Sequence, residues 1–192
     1  MLESFKKIIK QNEAVSLIGA LSVVSIVSSI ILVLVYNYSI PKIQANVDAS
    51  IKEAINNIFV EAKSIEKFKQ DNLFKVFDTN KKFVGYAFLS KGNGYQGVIR
   101  LIIGFDSSIQ KVKGIDVIES QETPGLGANI AEDFFKSQFI GLQVDPYVKY
   151  LKNEKKQNNN EIEAITGATI SSRAVVGIIN KNVKDIRSIL KD

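Results

Sequence analysis

Neither cysteine nor histidine occurs among the 192 residues. The missing thiols rule out disulfides, thiolate nucleophiles and iron–sulfur ligation, and the double absence removes most zinc sites and all imidazole acid–base machinery. Ser171 and Ser172 have no histidine to activate them, which excludes a classical serine hydrolase. Neither a catalytic side chain nor a metal site is expected, so any redox chemistry must come from an organic cofactor. No compartment follows from the absence of cysteine. Strong charge of one sign is lacking too. There are 25 Lys and Arg against 20 Asp and Glu, a net +5 that is too small and scattered for a nucleic-acid footprint. A weak attraction to anionic lipid headgroups is the more natural consequence. There is no internal repeat.

What the sequence does have is one long apolar run. Ala14 to Tyr36 reads AVSLIGALSVVSIVSSIILVLVY without a charge, and about 23 residues suffice to cross a hydrocarbon core of roughly 30 Å. A cleaved signal peptide is the competing reading, but its apolar region usually spans only about 7–15 residues. No convincing cleavage site precedes Tyr36. Lys6, Lys7 and Lys10 place the N-terminus on the cytoplasmic side and the rest of the chain outside. Tyr36 and Tyr38 suit the outer interface. Gly19, Ser22, Ser25 and Ser29 recur at helical spacing; such a stripe either admits a partner helix or is simply tolerated in lipid.

Pro41 marks the exit from the bilayer, and Ile43, Val47, Ile51, Ile55 and Ile58 then follow at the spacing of an amphipathic helix. Strand-like runs occupy 73–79, 83–90, 95–106 and 109–120, separated by short turn signals. Alternating apolar positions predict an antiparallel meander covered on one face. Ile130, Phe134, Phe135 and Phe139 predict a helix. Residues 146–151 and 161–165 read as a strand pair around a polar loop, and Val175, Ile179, Val183, Ile186 and Leu190 stripe a closing helix. The fold class is α+β: one N-terminal transmembrane helix, then an extracytoplasmic domain with a twisted antiparallel sheet and packed helices.

Three short motifs stand out. Thr166-Gly167-Ala168-Thr169 precedes the closing helix. Hydroxyl residues there cap the helix, or alternatively its N-terminus favours a phosphate and the small neighbours leave the Thr169 hydroxyl accessible. Glu122-Thr123-Pro124-Gly125-Leu126-Gly127 is a tight turn, or a backbone platform with an apolar tip for a flat ligand. Gly94-Tyr95-Gln96-Gly97 opens a strand.

In this order, behind a single span, the motifs resemble those of the FMN-binding G subunit of the Rnf electron-transport complex. They are similar also to those of the C subunit of the sodium-translocating NADH:quinone reductase. The resemblance covers essentially the whole chain, and the compact length is closer to the Rnf protein. It implies that a flavin transferase moves FMN from FAD onto Thr169, with Thr166, Gly167 and Ala168 as the recognition frame. It further implies that Thr123, Gly125, Leu126 and Gly127 lie against the isoalloxazine ring, with Tyr95 and Gln96 in the pocket wall. One departure is Glu163, where the family pattern has Asp three residues before the motif.

The expected organisation is a cytoplasmic N-terminus over 1–13, a span over 14–36, a juxtamembrane helical linker over 37–72 and the FMN-binding domain over 73–192. The expected function is electron relay, without catalytic residues of its own, inside an ion-translocating ferredoxin:NAD oxidoreductase of a bacterial or archaeal cytoplasmic membrane. Its partners would be the other membrane subunits, the flavin transferase during maturation, and the lipid bilayer. A place in a quinone reductase, a solitary extracytoplasmic flavoprotein, and a flavin-free anchored assembly module are the alternatives. The span has no ionisable side chain to conduct an ion.

Overall fold

The computed structural model describes residues 13–191. Lys6, Lys7 and Lys10, on which the orientation of the span rests, lie outside the described residues. The chain divides into two compact units, Met1–Asn46 and Val47–Asp192.

Helix α1 runs Glu13–Ile58. From Val15 to Ile40 its large apolar side chains are exposed, Leu32 by 69%, and the helix is long and apolar enough to cross a membrane. The Ser22 hydroxyl donates to the Ile18 carbonyl at 2.8 Å and that of Ser29 to the Ser25 carbonyl at 2.7 Å. No break separates the span from the amphipathic stretch, because Pro41 lies inside α1. Proline removes one backbone donor, and the turns on either side continue the helix around that single loss. Within the second unit the helix changes character. Ile51, Ala54 and Ile55 are buried, as is Phe59 just beyond its end, whereas Ile43 of the predicted stripe is 58% exposed.

Five strands follow: β1 Ser64–Phe68, β2 Gln70–Phe77, β3 Phe83–Asn93, β4 Val98–Asp106 and β5 Val112–Ser120. They form an antiparallel sheet in sequential order, in which β2 to β5 are the predicted meander and β1 is a strand the sequence reading missed. It begins at Ser64, so the stretch read as a helical linker is helical only to Ile58. Aspartates set two of the turns. The Asp78 carboxylate accepts from the backbone N–H of Asn80 and Lys82, and that of Asp106 from Gln110 and Lys111.

The sheet is covered on both faces, not one. Alternate residues of the central strands point oppositely, and both sets are apolar. Phe74, Val76, Ala87 and Ile102 pack against Ile51, Ala54, Ile55 and Phe59. Leu73, Phe88, Leu101 and Ile103 belong to a second, larger core with the closing helix. Gly104 makes the first contact possible, since a Cβ there would overlap Ile58 and come within 2.9 Å of the Phe59 ring.

The predicted helix around Phe134 is instead three short turns: 3₁₀ at Gly127–Ala131, α2 at Asp133–Lys136 and 3₁₀ at Ser137–Phe139. Glu132 adopts an extended conformation, φ −77° and ψ 148°, which breaks the helical phase. Ile130, Phe135 and Phe139 are buried while Phe134 is 59% exposed. Strands β6 Lys149–Leu151 and β7 Glu161–Glu163 pair in parallel. Helix α3, Thr169–Lys191, closes the fold with Val175, Ile179, Val183 and Ile186 buried along one stripe.

Candidate cofactor site

Thr169 is the first residue of α3. The turn before it is held by Ser172, whose hydroxyl accepts from the Ile165 N–H at 3.0 Å and donates to the Ala168 carbonyl at 3.0 Å. Gly167 has φ +83°, a left-handed value that favours glycine. The chain thereby turns sharply into the helix with Ala168 buried and Thr169 half-buried. The first N–H groups of a helix have no intrahelical partner and point where an anion gains most.

The 122–127 loop follows β5. The Leu126 and Ala128 N–H groups both donate to the Thr123 carbonyl at 3.1 Å, with Gly125 at φ +75°. Leu126 remains 49% exposed beside Gly167, whose Cβ, if present, would lie 3.5 Å from it. The 94–97 turn is closed by the Gly94 N–H on the Gly97 carbonyl at 2.7 Å.

One carboxylate fastens these pieces together. Glu122 is 6% exposed. It accepts from the backbone N–H of Gln96 at 2.9 Å, from that of Gly97 at 3.4 Å and from the Ser171 hydroxyl on α3. The Thr123 hydroxyl donates to the Gln96 side-chain oxygen. Burial pushes the Glu122 carboxyl up. The Ser171 hydroxyl and the N–H groups of Gln96, Gly97 and Tyr95 together outweigh burial and hold it below the ordinary glutamate range.

The result is a cleft of about 540 Å³ lined by Tyr95, Glu122, Thr123, Leu126, Gly127, Lys152, Gly167, Ala168, Thr169, Ile170 and Ser171. That volume is within the roughly 300–1,000 Å³ of small-molecule sites. Among the expected site residues, Tyr95, Thr123, Leu126, Gly127, Gly167, Ala168 and Thr169 meet here. Gln96 lies outside the lining and accepts from the Thr123 hydroxyl, and Gly125 and Thr166 are exposed outside the lining as well. Sequence reasoning had not assigned Glu122, Lys152, Ile170 or Ser171 to the site. Glu122 opens its own motif and could have been found; Lys152 sits in a polar loop that gives no signal. Donors and surfaces fit a flat ligand carrying a phosphate: a helix start, the exposed Lys152 ammonium, and exposed apolar groups at Tyr95, Leu126 and Ile170.

Glu163 lies on β7, outside the cleft. Its carboxylate accepts from the Lys156 N–H at 3.3 Å and the Lys155 ammonium at 3.3 Å. The Lys156 N–H is the main cause of its lowered pKa.

Comparison with known proteins gives the family of the domain that holds this cleft. The family model for the FMN-binding domain matches residues 94–184, from the first motif into α3. The chain is 30% identical over 182 residues to the G subunit of the ion-translocating oxidoreductase complex of Methanosarcina acetivorans, covering 90% of this chain and 94% of that protein. It is 34% identical over 142 residues to the G subunit of the Na(+)-translocating ferredoxin:NAD(+) oxidoreductase complex of Acetobacterium woodii, covering 69% of this chain and 68% of that one. Among solved structures, NqrC from Shewanella oneidensis aligns with a TM-score of 0.53 at 23% identity, covering 63% of this chain and 65% of that one, a likeness of fold. With the likeness to the Methanosarcina acetivorans subunit extending over nearly the whole of both chains, the protein belongs to the family of G subunits of ion-translocating oxidoreductase complexes.

Proposed function

We propose that the chain carries FMN esterified through its phosphate to Thr169 and relays electrons within an Rnf-type ion-translocating ferredoxin:NAD oxidoreductase. The observation that supports this most is that residues of all three motifs line one cleft, Thr169, the first residue of α3, among them. In the ester-forming step the Thr169 oxygen bonds to the flavin-side phosphorus of FAD. The pyrophosphate bond breaks, AMP leaves, and the hydroxyl proton goes to the leaving phosphate or to solvent. A flavin transferase supplies the catalysis, so Thr169 is a tether and not a catalytic residue.

Bound FMN supplies the redox chemistry. The chain's own groups supply position. The first turn of α3 and Lys152 offset the phosphate charge. Leu126, Tyr95 and Ile170 give apolar contact and exclude water, while Gln96 and Glu122 keep Thr123 and the loop in place. On this reading α1 anchors the protein in a bacterial or archaeal cytoplasmic membrane with the cofactor domain outside. The other membrane subunits are its partners and carry the ion.

The test is intact mass after co-expression with a flavin transferase, beside Thr169→Ala. A gain of FMN less water, absent from the variant, is expected; an unmodified wild-type chain beside a transferase active on another substrate would sink the reading. Orientation is tested separately. The chain has no cysteine of its own, so a single cysteine at the exposed Asp185 should react with an impermeant thiol reagent in intact cells. Protection there would put the domain inside.

A further inference from the structure

We propose that Glu122 is an uncompensated anion, built into the cofactor cleft, that lowers the reduction potential of whatever redox group the cleft holds. The inference rests on the FMN reading above and concerns a side chain to which that reading assigns only a fastening role.

Glu122 lines the cleft and is almost wholly buried. Burying a carboxylate is costly, and proteins usually meet the cost with a cation. Among the described residues no lysine or arginine forms an ion pair with it. The cleft's one cation, Lys152, is exposed at the rim. The fold instead spends neutral donors on this carboxylate, two backbone N–H groups and the Ser171 hydroxyl. It also clears space: a Cβ at Gly94 or at Gly127 would overlap a Glu122 oxygen.

Fastening alone does not call for a charge. A glutamine carbonyl could accept the same two N–H groups, and its amide could donate to the Ser171 oxygen. What only glutamate brings is a full negative charge, kept ionised at neutral pH by those donors. In a partly desolvated cleft a fixed anion interacts far more strongly than it would in water. Adding an electron beside it is disfavoured, so the occupant is harder to reduce. The direction suits a carrier that must pass electrons on rather than store them.

The experiment uses the full-length, flavin-loaded protein. The midpoint potential is measured by spectroelectrochemical titration in wild type, Glu122→Gln and Ser171→Ala, with loading verified by intact mass. Glu122→Gln keeps the shape and removes the charge, so the potential should rise. Ser171→Ala keeps the charge and removes one donor, so the anion is felt more strongly and the potential should fall. Melting of flavin-free Glu122→Gln should stay near that of wild type. Loaded variants that both titrate at the wild-type potential would overturn the proposal, and a large melting loss with an unmoved potential would leave Glu122 a clamp only. Should Glu122→Gln fail to fold, the downward shift in Ser171→Ala decides alone. A wild-type chain that takes up no flavin instead overturns the underlying FMN reading, a result distinct from loaded protein with an unmoved potential.

Discussion

On one face of the sheet, Ile51, Ala54, Ile55 and Phe59 press onto Phe74, Val76, Ala87 and Ile102 with nothing polar buried between them. On the other, α3 and the turns over 127–139 bury a larger apolar set. The buried polar side chains, Glu122, Glu161, Ser171, Ser172 and Asn182, all lie away from the first face, and two of them sit at the cleft. Apolar contact alone is enough to fasten a helix to a sheet. The second face accepts buried polarity, part of it at the cleft proposed to hold the cofactor. On the proposed function, one side of the sheet serves stability, and the other divides its residues between stability and chemistry.

That contrast can be broken from either side. Thr169→Ala should abolish covalent flavin completely, read as loss of in-gel fluorescence, while the melting temperature of the flavin-free protein stays put. Phe59→Ala should do the reverse. It opens a cavity on the chemistry-free face, costing about 3–5 kcal/mol in urea unfolding, while folded molecules still accept flavin.

Gly127→Ala should trouble both properties. Its Cβ would meet the Glu122 carboxylate and lie 2.7 Å from the Ser171 oxygen; about 1–3 kcal/mol of destabilisation is expected, with reduced flavin loading. Acid should sharpen the contrast further. The Glu122 carboxyl is depressed in the folded state, so the stability it contributes is present above the ordinary glutamate pKa of about 4.3 and lost as pH falls through the lower folded value. Thermal melts of wild type should therefore drop on acidification by more than those of Glu122→Gln. The smallest effect is expected from Glu163→Asp, which restores the family carboxylate outside the cleft: faster flavin attachment in a timed transferase assay, with no change in melting.

The meander was legible because β2 to β5 alternate or run apolar between turn-forming residues, and α3 because its stripe keeps a single helical period. Other features were hidden for physical reasons. Pro41 looks like a boundary, yet one missing donor does not stop a helix with good turns on both sides. Glu132 carries no sign of the extended conformation that splits the predicted helix and turns Phe134 outward. The polar loop between β6 and β7 says nothing about strand direction, so their parallel pairing could not be read. At the site, each motif was visible through its glycines and hydroxyls. Their fastening was not, because Glu122 and Ser171 lie 49 residues apart and only the fold joins them.

The serines of the apolar stretch have a consequence for biogenesis. Ser22 and Ser29 spend their hydroxyls on carbonyls of their own helix. Neither presents an unsatisfied hydroxyl hydrogen to its surroundings, so these two of the five serines over 14–36 give the translocon little polarity to reject. At those two positions the helix needs no neighbouring chain to satisfy its hydroxyl hydrogens in lipid.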